Sequence, residues 1–332
     1  MGYILGLDQG GTNTRAAVMD LDGGVLGYHN TRGSYFPRDG IEVSMGIAVA
    51  AAEKALGDAG LTRADVDMVV AGITGVDWEG DDAVVENELK KHFGNARVFA
   101  CNDCEIAFYG GAVKPVGAVI CAGTGLNAAL FAPDGRKFVM GDYLKASLQG
   151  GIAIAKRAFE AVVESDLGLL PETELTRLFL DFSQDGSVFE LLRRYMTDDG
   201  FSSKIKALVP AIIAAANDGD TVARDILDSL ARGVCGCFTA AMNKMGMLDL
   251  DCDIVLAGSV FSGRENVLTR MVAGGVSRSA KNANVINARF DPIVGACVLG
   301  LLKKSIQPDD RVTQNIALSA DKLGLLRSAP EL

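Results

Sequence analysis

Two short turns built from Gly and Thr are the part of this sequence best suited to chemistry. One turn is Gly10-Gly11-Thr12 and the other is Gly123-Thr124-Gly125, and each follows an apolar stretch. Glycine lets the backbone approach a ligand closely and point its N–H groups outward, while threonine adds a hydroxyl donor. Because phosphate oxygens accept such hydrogen bonds, the turns predict a phosphate-binding site that contains Gly10, Gly11, Thr12, Thr14, Gly123, Thr124 and Gly125.

The two turns belong to a longer internal repeat. Residues 4–23 align without a gap with residues 116–135, and a constant offset of 112 carries Gly11 onto Gly123. Each copy predicts a strand, the turn, a second strand, and an Asp-Gly reversal that leads into a third strand. Two such turns that face each other would grip a polyphosphate from two sides.

An acidic residue beside the turn is present in only one of the two copies. Asp8 stands at the end of the first predicted strand beside its turn, whereas the equivalent residue in the second copy is Ile120. Phosphoryl transfer uses a cation that bridges phosphate groups. We therefore expect Asp8 to hold Mg²⁺, through water, on one side of the ligand only. The alternative is that Asp8 caps its own turn.

The elements around these turns predict an α/β protein that repeats one arrangement. In the first half, three strands precede helices at residues 41–60, 81–93 and 105–112, which alternate with strands at 67–73 and 96–101. This order predicts a mixed sheet covered by helices. The second half starts again with three strands and then predicts helices at 150–165, 172–182, 187–196, 202–216 and 220–245, a strand at 253–261, a helix at 265–274, a strand at 284–288 and a helix opened by Pro292. After Gln307 the weak patterning predicts a surface-packed or partly mobile tail.

Composition limits the classes of protein to which the chain can belong. Its 332 residues exceed what one core usually supports, so we expect two domains, residues 1–113 and 114–291, with residues 292–332 packing back on the first. The formal charge of −10 and the absence of a Lys or Arg run disfavour a nucleic-acid partner. The uncharged stretch 116–132 is too short and too rich in Gly for a membrane span. The first residues lack the features of a signal peptide, so we expect a cytoplasmic protein without membrane contact.

The cysteines do not predict a metal site or a disulfide framework. Cys101 and Cys104 have the spacing of a redox motif, but the seven cysteines as a set are irregularly spaced. Only two histidines are present, and neither lies near a cysteine pair, which disfavours a zinc site. Most of the cysteines are better explained as small buried apolar residues.

Three motifs resemble those of the actin, sugar-kinase and heat-shock-chaperone ATPase superfamily. Residues 7–14 resemble its phosphate-1 motif, residues 122–125 its phosphate-2 motif and residues 255–261 its adenosine motif, in the same order. Within the superfamily, about residues 3–303 are similar to the BadF/BadG-type ATPase family, which includes the N-acetylglucosamine kinases. The segments that support this resemblance are Asn102-Asp103 and residues 123–127, 214–224 and 289–296.

The resemblance implies a fold, a reaction and several residue roles. The fold would be two ribonuclease-H-like domains with a cleft between them. The reaction would be ATP-dependent phosphorylation of a small sugar, with an amino sugar such as N-acetylglucosamine or glucosamine favoured. Gly258 and Ser259 would lie against adenosine. Asp103 would be the general base for the sugar hydroxyl, although a residue at this place could also cap the helix that follows. The resemblance also implies a homodimer.

Two segments depart from the family pattern where the sugar is expected. The aligned stretch 141–151 lacks the Trp and the acidic pair of these kinases, and Asp142, Leu148 and Gln149 stand there instead. The loop 33–40 lacks the family's Asn and Trp. The acceptor pocket must therefore differ. The residues available to it are Tyr35, Arg38, Asp39, Asp77, Trp78 and Asn127, each of which could equally be a solvated loop residue.

Three other functions remain open beside the sugar kinase. Radical-dehydratase activators of the same family drive a partner and bridge an iron–sulfur cluster, but no second cysteine at a matching site follows Cys121. A nucleotide-binding protein with weakened catalysis would fit the altered segment 141–151. A nicotinamide enzyme is disfavoured because its glycine fingerprint opens a helix, whereas a strand is predicted after Gly125. No Walker-type Gly-Lys-Ser/Thr sequence occurs, and the sequence as a whole favours the kinase.

Overall fold

Each copy of the internal repeat supplies the first two strands of a five-stranded sheet. The computed structural model describes residues 2–263 and 265–327, so residues 328–332 of the predicted tail lie outside the described residues. The chain divides into two units. The first includes the chain up to Val119 and again from Ala288, and the second runs from Ile120 to Asn287.

The strands of the first sheet, and the helices that alternate with and directly follow them, come first in the chain. They are β1 (Tyr3–Gln9), β2 (Asn13–Met19), β3 (Val25–Arg32), α1 (Phe36–Asp39), α2 (Ile41–Asp58), β4 (Val66–Ile73), α3 (Asp81–Lys90), β5 (Arg97–Cys101) and α4 (Asp103–Tyr109). The elements that follow are β6 (Gly117–Ala122), β7 (Leu126–Phe131), β8 (Lys137–Val139), α5 (Gly150–Asp166), α6 (Glu174–Ser183), α7 (Val188–Thr197), α8 (Asp199–Lys204), α9 (Val209–Asn217), α10 (Thr221–Lys244), β9 (Asp253–Ala257), α11 (Val267–Ser279), β10 (Asn284–Asn287), α12 (Pro292–Lys303) and α13 (Asp310–Lys322).

The two sheets share one strand order. The first is β3-β2-β1-β4-β5 and the second, read in the same sense, is β8-β7-β6-β9-β10. In the first sheet β1 is antiparallel to β2 and parallel to β4, and β4 is parallel to β5. Parallel neighbours need a crossover connection, which here contains α2 or α3. The predicted α/β fold with two similar mixed sheets is therefore confirmed.

Helices cover both faces of the first sheet. Successive side chains of a strand point to opposite faces, and β1 is apolar at consecutive positions, so both faces need cover. Leu7 packs with α2 and α3 in one buried cluster, whereas Ile4 packs with α12 and α13 in the other. Helix α2 approaches β3 closely, since a Cβ atom built on Gly27 would lie only 2.0 Å from Ala55 O. Both faces of β1 are thus buried, which fixes the strand that carries Asp8.

The helix predicted over residues 202–216 is wrong as one continuous element. The structure has α8 up to Lys204, a 3₁₀ turn from Ile205 to Leu208, and then α9. Pro210 stands in the first turn of α9, where its missing N–H group is tolerated, but a proline inside a helix removes a hydrogen bond and clashes with the preceding turn. The 3₁₀ turn therefore separates α8 and α9 into two helices.

The sequence predicts a surface-packed or partly mobile tail after Gln307 without an element of its own, whereas Asp310–Lys322 form helix α13. Val312, Ile316 and Ala320 recur every four residues and are buried in the core of the first unit. The Asp309 side chain caps the helix by accepting a hydrogen bond from Val312 N at 2.8 Å. This narrow apolar stripe is too short to dominate a mostly polar stretch, so the sequence pattern alone was weak.

None of the helices in residues 2–263 and 265–327 has both the length and the apolar character that a membrane span needs.

Candidate active site

The first Gly and Thr turn joins β1 to β2, and the hairpin holds it in place. Gly10 N donates to Asn13 O at 2.9 Å across the turn. Gly11 and Thr12 at the tip are exposed. The turn therefore presents two of its predicted phosphate-binding residues to solvent.

Thr14, which the sequence also predicts at the phosphates, lies behind the turn. It is fully buried, and its Oγ1 accepts a hydrogen bond from Gln9 Nε2 at 3.1 Å. A buried hydroxyl that is bonded in this way braces the turn from inside. The exposed tip, rather than Thr14, is the part of this turn that is open to a ligand.

Asp8 is buried at the carboxyl end of β1 and pairs with a cation. Arg15 stands opposite it in the register of β1 and β2, and Arg15 Nη1 donates to Asp8 Oδ2 at 2.9 Å. Burial raises the pKa of Asp8 to about 6, while the Arg15 guanidinium opposes the shift. Asp8 is thus a carboxylate whose charge depends on nearby cations.

Sequence reasoning did not identify Arg15 and Asp291, two residues whose charges act on the Asp8 carboxylate. Arg15 also lies 3.7 Å from Asp291 Oδ1, and Arg327 forms a second ion pair with Asp291. The hairpin register could have identified Arg15, because antiparallel pairing around the turn places it opposite Asp8. Nothing in the local sequence pointed to Asp291, which reaches this site at the start of α12.

Replacing Arg15 with Gln is expected to lower the free energy of unfolding by about 1–3 kcal/mol at pH 8. The loss should be smaller at pH 5, because Asp8, with a pKa of about 6, is then mostly protonated and carries no charge to stabilise. Urea unfolding of both proteins at the two pH values measures the difference. An equal loss at pH 5 and pH 8 would show that the ion pair with Asp8 does not explain the effect.

Asp103 begins α4, but another residue caps the helix. Asn102 Oδ1 accepts a hydrogen bond from Cys104 N at 3.0 Å, and Asn102 N donates to Glu105 Oε1 at 3.1 Å, which completes a capping box. The alternative role of Asp103 as the cap is therefore filled by its neighbour. Asp103 occupies the first helical position instead.

The environment of Asp103 favours its protonated form. Burial raises the pKa of Asp103 to about 8, and the negative charges of Asp8 and Asp77 add to the shift. The carboxylate also lies next to the first turn, since a Cβ atom built on Gly10 would be 3.8 Å from Asp103 Oδ2. A raised pKa near the working pH is typical of a general base.

Asp77 and Trp78 follow β4 and are held differently. Asn102 Nδ2 donates to Asp77 Oδ1 at 2.8 Å, so the residue that caps α4 also orients this carboxylate. Trp78 N donates to Asp81 Oδ2 at 2.8 Å, while 71% of the Trp78 residue surface is exposed. The loop after β4 therefore offers a fixed carboxylate and an exposed indole.

The first unit thus brings Asp8, Asp77 and Asp103 to the carboxyl ends of three neighbouring strands, β1, β4 and β5. Ligands of open α/β sheets bind at this edge. Within the described part of the chain, no group of three or more His, Cys, Asp or Glu side chains has the geometry of a direct metal cage. Any cation here would need water among its ligands.

The loop after β3 lies against the same edge. A Cβ atom built on Gly33 would be 2.3 Å from Gly10 O, so the loop presses directly on the first turn. Tyr35 and Arg38 are exposed, and Arg38 Nε donates to Asp39 Oδ1 at 2.7 Å. Of the polar residues predicted for the acceptor, Asp39 is already engaged within the loop.

The second Gly and Thr turn joins β6 to β7 in the other unit. Gly123 N donates to Gly125 O at 2.9 Å, and Thr124 and Gly125 are exposed. Helix α5 begins directly behind it, since Gly151 N donates to Gly123 O at 2.9 Å and Ile152 N to Thr124 O at 3.0 Å. The turn is therefore fixed by the first backbone groups of a helix.

The predicted adenosine turn packs on β6, the strand that leads into the second Gly and Thr turn. Gly258 has a φ of +96°, and a Cβ atom built on it would lie 2.2 Å from Ala122 O. Only glycine combines this backbone conformation with this close approach. Ser259 follows it in a short 3₁₀ turn, and its Oγ would lie 3.9 Å from a Cβ atom built on Gly123.

A cavity of about 830 Å³ in the second unit joins the two predicted nucleotide motifs. Its wall contains Gly123 and Thr124 of the phosphate turn together with Ser259 of the adenosine turn. Apolar residues of α9 complete it, and Lys204 and Lys206 are also on the wall. A cavity of this size with an apolar wall and a few polar groups is typical of a cofactor site. Sequence reasoning did not identify the two lysines, which no motif marks.

A second cavity of about 880 Å³ in this unit is lined by the segment that departs from the family pattern. Leu148 and Gln149 are on its wall, as is Gly125. Asn127 lies against the start of the same segment, since a Cβ atom built on Gly141 would be 3.1 Å from Asn127 Nδ2. Asn127 therefore lies next to the start of the segment 141–151.

Comparison with known proteins identifies related kinases. An N-acetyl-D-glucosamine kinase of Dictyostelium discoideum is 25% identical over 317 residues, which cover 91% of this chain and 98% of that protein. An N-acetylmuramic acid/N-acetylglucosamine kinase of Clostridium acetobutylicum is 24% identical over 302 residues, with 90% and 98% covered. A solved structure from Chromobacterium violaceum, named only provisionally as an N-acetylglucosamine kinase, matches the fold with a TM-score of 0.67, 20% identity, and 90% and 99% of the two chains covered.

The family inferred from the three motifs is also found by direct comparison. The model of the BadF/BadG/BcrA/BcrD ATPase family matches residues 5–300, a range that contains both Gly and Thr turns, Asp103 and the adenosine turn. The resemblance is therefore confirmed over most of the chain. This protein belongs to the BadF/BadG/BcrA/BcrD ATPase family.

Proposed function

We propose that this protein is an ATP-dependent kinase that phosphorylates a hydroxyl group of a small sugar, and that an amino sugar such as N-acetylglucosamine or glucosamine is the acceptor. The observation that carries the proposal is Asp103, a carboxylate with a pKa of about 8 placed beside the first Gly and Thr turn. The names of the two kinases that are similar to this chain support an amino sugar.

The cavity of the second unit is the proposed nucleotide site. Gly258 and Ser259 would lie against adenosine, and Gly123, Thr124 and Gly125 would donate to phosphate oxygens. Gly10, Gly11 and Thr12 of the first turn are proposed to contact phosphates as well. The support is the wall of the cavity, which contains both motifs of the second unit, and the exposed tips of both turns.

Asp103 is proposed to act as the general base. Its carboxylate would accept the proton of the sugar hydroxyl as the oxygen attacks the terminal phosphorus and the bond to the ADP oxygen breaks. Burial, with the negative charges of Asp8 and Asp77 as smaller contributions, raises its proton affinity, which strengthens it as a base. Asn102 keeps both Asp103 and Asp77 in place through the cap and the hydrogen bond to Asp77.

The acidic edge of the first unit fits a magnesium ion. The Asp8 carboxylate offers the oxygen donors that Mg²⁺ prefers, and the nearby carboxylates of Asp77 and Asp103 add negative charge that favours a cation. Asp8 would hold the ion through water. When bound, Mg²⁺ neutralises charge on the transferring phosphates.

The acceptor would contact Asp77, Trp78, Tyr35 and Arg38 of the first unit and Asn127 of the second. The exposed Trp78 indole offers an apolar platform for a sugar ring, and the fixed Asp77 carboxylate can accept from a sugar hydroxyl. Resemblance to the family further supports a homodimer.

Formation of ADP with Mg²⁺-ATP across hexoses, hexosamines, N-acetylhexosamines and polyols tests the proposal. We expect at least one amino sugar to stimulate ADP release by roughly a hundredfold or more, with one sugar phosphate formed for each ADP. ATP turnover that no acceptor changes would reject the kinase. That result would favour a partner-coupled or weakened ATPase, for which the replacement of the family's acidic pair by Leu148 and Gln149 is the supporting observation.

A further inference from the structure

A chain of buried polar groups runs from the first Gly and Thr turn to the loop after β3. Gln9, Ser34 and Ser44 are each no more than 1% exposed. Buried polar side chains are costly unless they are hydrogen-bonded, so a connected set of three in one place is an informative feature. These three residues belong to β1, the loop after β3 and helix α2, respectively.

Gln9 connects the first Gly and Thr turn to helix α2 by two hydrogen bonds. Its Nε2 donates to Thr14 Oγ1 at 3.1 Å and to Ser44 O at 3.0 Å. Its Oε1 has no hydrogen-bond partner in the described part of the chain, so these two donated bonds set the orientation of the amide. The turn is therefore tied to the first part of α2.

The next links reach the loop through two hydroxyl groups. Ser34 Oγ and Ser44 Oγ are 2.7 Å apart, and Ser34 Oγ donates to Asp39 Oδ2 at 2.8 Å. A hydroxyl has one proton, so Ser34 must accept the proton of Ser44 when it donates to Asp39. The direction of the chain is thus fixed from Ser44 to Ser34 to Asp39.

Asp39 ends the chain at the exposed residues of the loop. It accepts from Tyr35 N at 3.0 Å and from Arg38 Nε and Nη2 at 2.7 and 3.0 Å. These bonds hold the pKa of Asp39 well below its usual range, so the carboxylate remains charged. Asp39 therefore holds the backbone of Tyr35 and the guanidinium of Arg38, the two exposed residues of this loop that are proposed for acceptor contact.

The backbone makes the same connection. Gly33 N donates to Thr12 O at 2.9 Å, and Ser34 N donates to Gly10 O at 3.2 Å. These two bonds would therefore transmit a displacement of Gly10 or Thr12 to Gly33 and Ser34, at the start of the loop after β3.

We propose that Ser34 and Ser44 are positioning residues that couple the acceptor loop to the first Gly and Thr turn, so that nucleotide and acceptor increase each other's affinity. The inference rests on the proposed function, because it assigns the turn to phosphate and the loop to the acceptor. Coupling of this kind is reciprocal, which makes it measurable from either ligand.

The test uses the full chain, the nucleotide analogue AMPPNP with Mg²⁺, and N-acetylglucosamine. In calorimetric titrations, the unaltered protein should bind N-acetylglucosamine about fivefold more tightly when AMPPNP is saturating. Ser44→Ala should reduce this ratio to below about twofold, with AMPPNP affinity alone changed less than about twofold. Ser34→Ala should do the same, and it serves as the second variant if Ser44→Ala fails to fold.

A second readout does not need the acceptor. AMPPNP should slow amide hydrogen exchange of residues 33–40 in the unaltered protein, and Ser44→Ala should remove that protection. Ser319→Ala is the matched control, because Ser319 Oγ accepts from Val25 N at 2.9 Å in the same unit but outside this chain of groups. It should keep both the affinity ratio and the protection.

The outcomes separate the two proposals. Loop protection by AMPPNP without any sugar-dependent turnover would reject the sugar kinase but keep the coupling of loop to turn. Sugar-dependent turnover, with both variants retaining the affinity ratio and the loop protection of the unaltered protein, would overturn the coupling and leave the kinase intact. A lower melting temperature with unchanged coupling would show that the serines are only structural.

Discussion

Replacing Asp103 with Asn is expected to reduce phosphoryl transfer by roughly a thousandfold while AMPPNP affinity stays within about threefold. Asn has nearly the same shape but cannot accept the proton of the sugar hydroxyl. The adenosine turn and the second Gly and Thr turn lie in the other unit, so nucleotide contacts there do not depend on this side chain. Single-turnover phosphorylation of the best acceptor, together with calorimetric titration of AMPPNP, measures both quantities.

The same substitution should stabilise the fold. In the folded protein the pKa of Asp103 is about 8, well above its ordinary value of 3.8. A carboxyl group with a raised pKa destabilises the folded state once the pH exceeds the unfolded value, and the deficit grows until the pH passes the folded value. The variant should therefore gain on the order of 1 kcal/mol at pH 8 and little at pH 4.

An exposed carboxylate provides the matched control for this prediction. Asp58 lies at the end of α2 and is exposed, so Asp58→Asn removes one negative charge without affecting the site. It should leave turnover unchanged and alter stability by less than about 0.5 kcal/mol. If Asp103→Asn retained a tenth or more of the original turnover, Asp103 would not be the base.

Replacing Gly258 with Ala is expected to weaken AMPPNP binding by roughly tenfold or more and to lower the free energy of unfolding by about 2–4 kcal/mol. Two effects add. The residue has a positive φ, and the new methyl group would lie 2.2 Å from Ala122 O. Relief of that contact must displace either the adenosine turn or β6, which leads into the second Gly and Thr turn.

Gly219→Ala separates the two effects. Gly219 has a φ of +102°, close to that of Gly258, but a Cβ atom built there meets no atom within 4 Å. It should lose about 1 kcal/mol of stability from backbone strain and bind AMPPNP normally. Equal losses of AMPPNP affinity in both variants would mean that the approach of Gly258 to Ala122 has no part in forming the nucleotide cavity.

Local features of the site were predictable because they depend on residues close together in the chain. The register that places Arg15 opposite Asp8 follows from the hairpin turn, and the cap by Asn102 follows from its spacing to Glu105. The repeated turns likewise predicted two sheets of one type. Helix α13 was missed because its apolar stripe is narrow, although burial on the first unit is enough to stabilise it.

The sequence by itself determined the two Gly and Thr turns, the repeated α/β plan and the family, since turn conformation and strand pairing to the next strand are encoded by neighbours. The tertiary structure alone decided which distant groups meet. Asp291 reaches Arg15, Asn102 reaches Asp77, and Ser34 reaches Ser44 only after the sheet and its helices have packed. It also decided the raised pKa of Asp103, because burial and neighbouring charge arise from packing rather than from residue type.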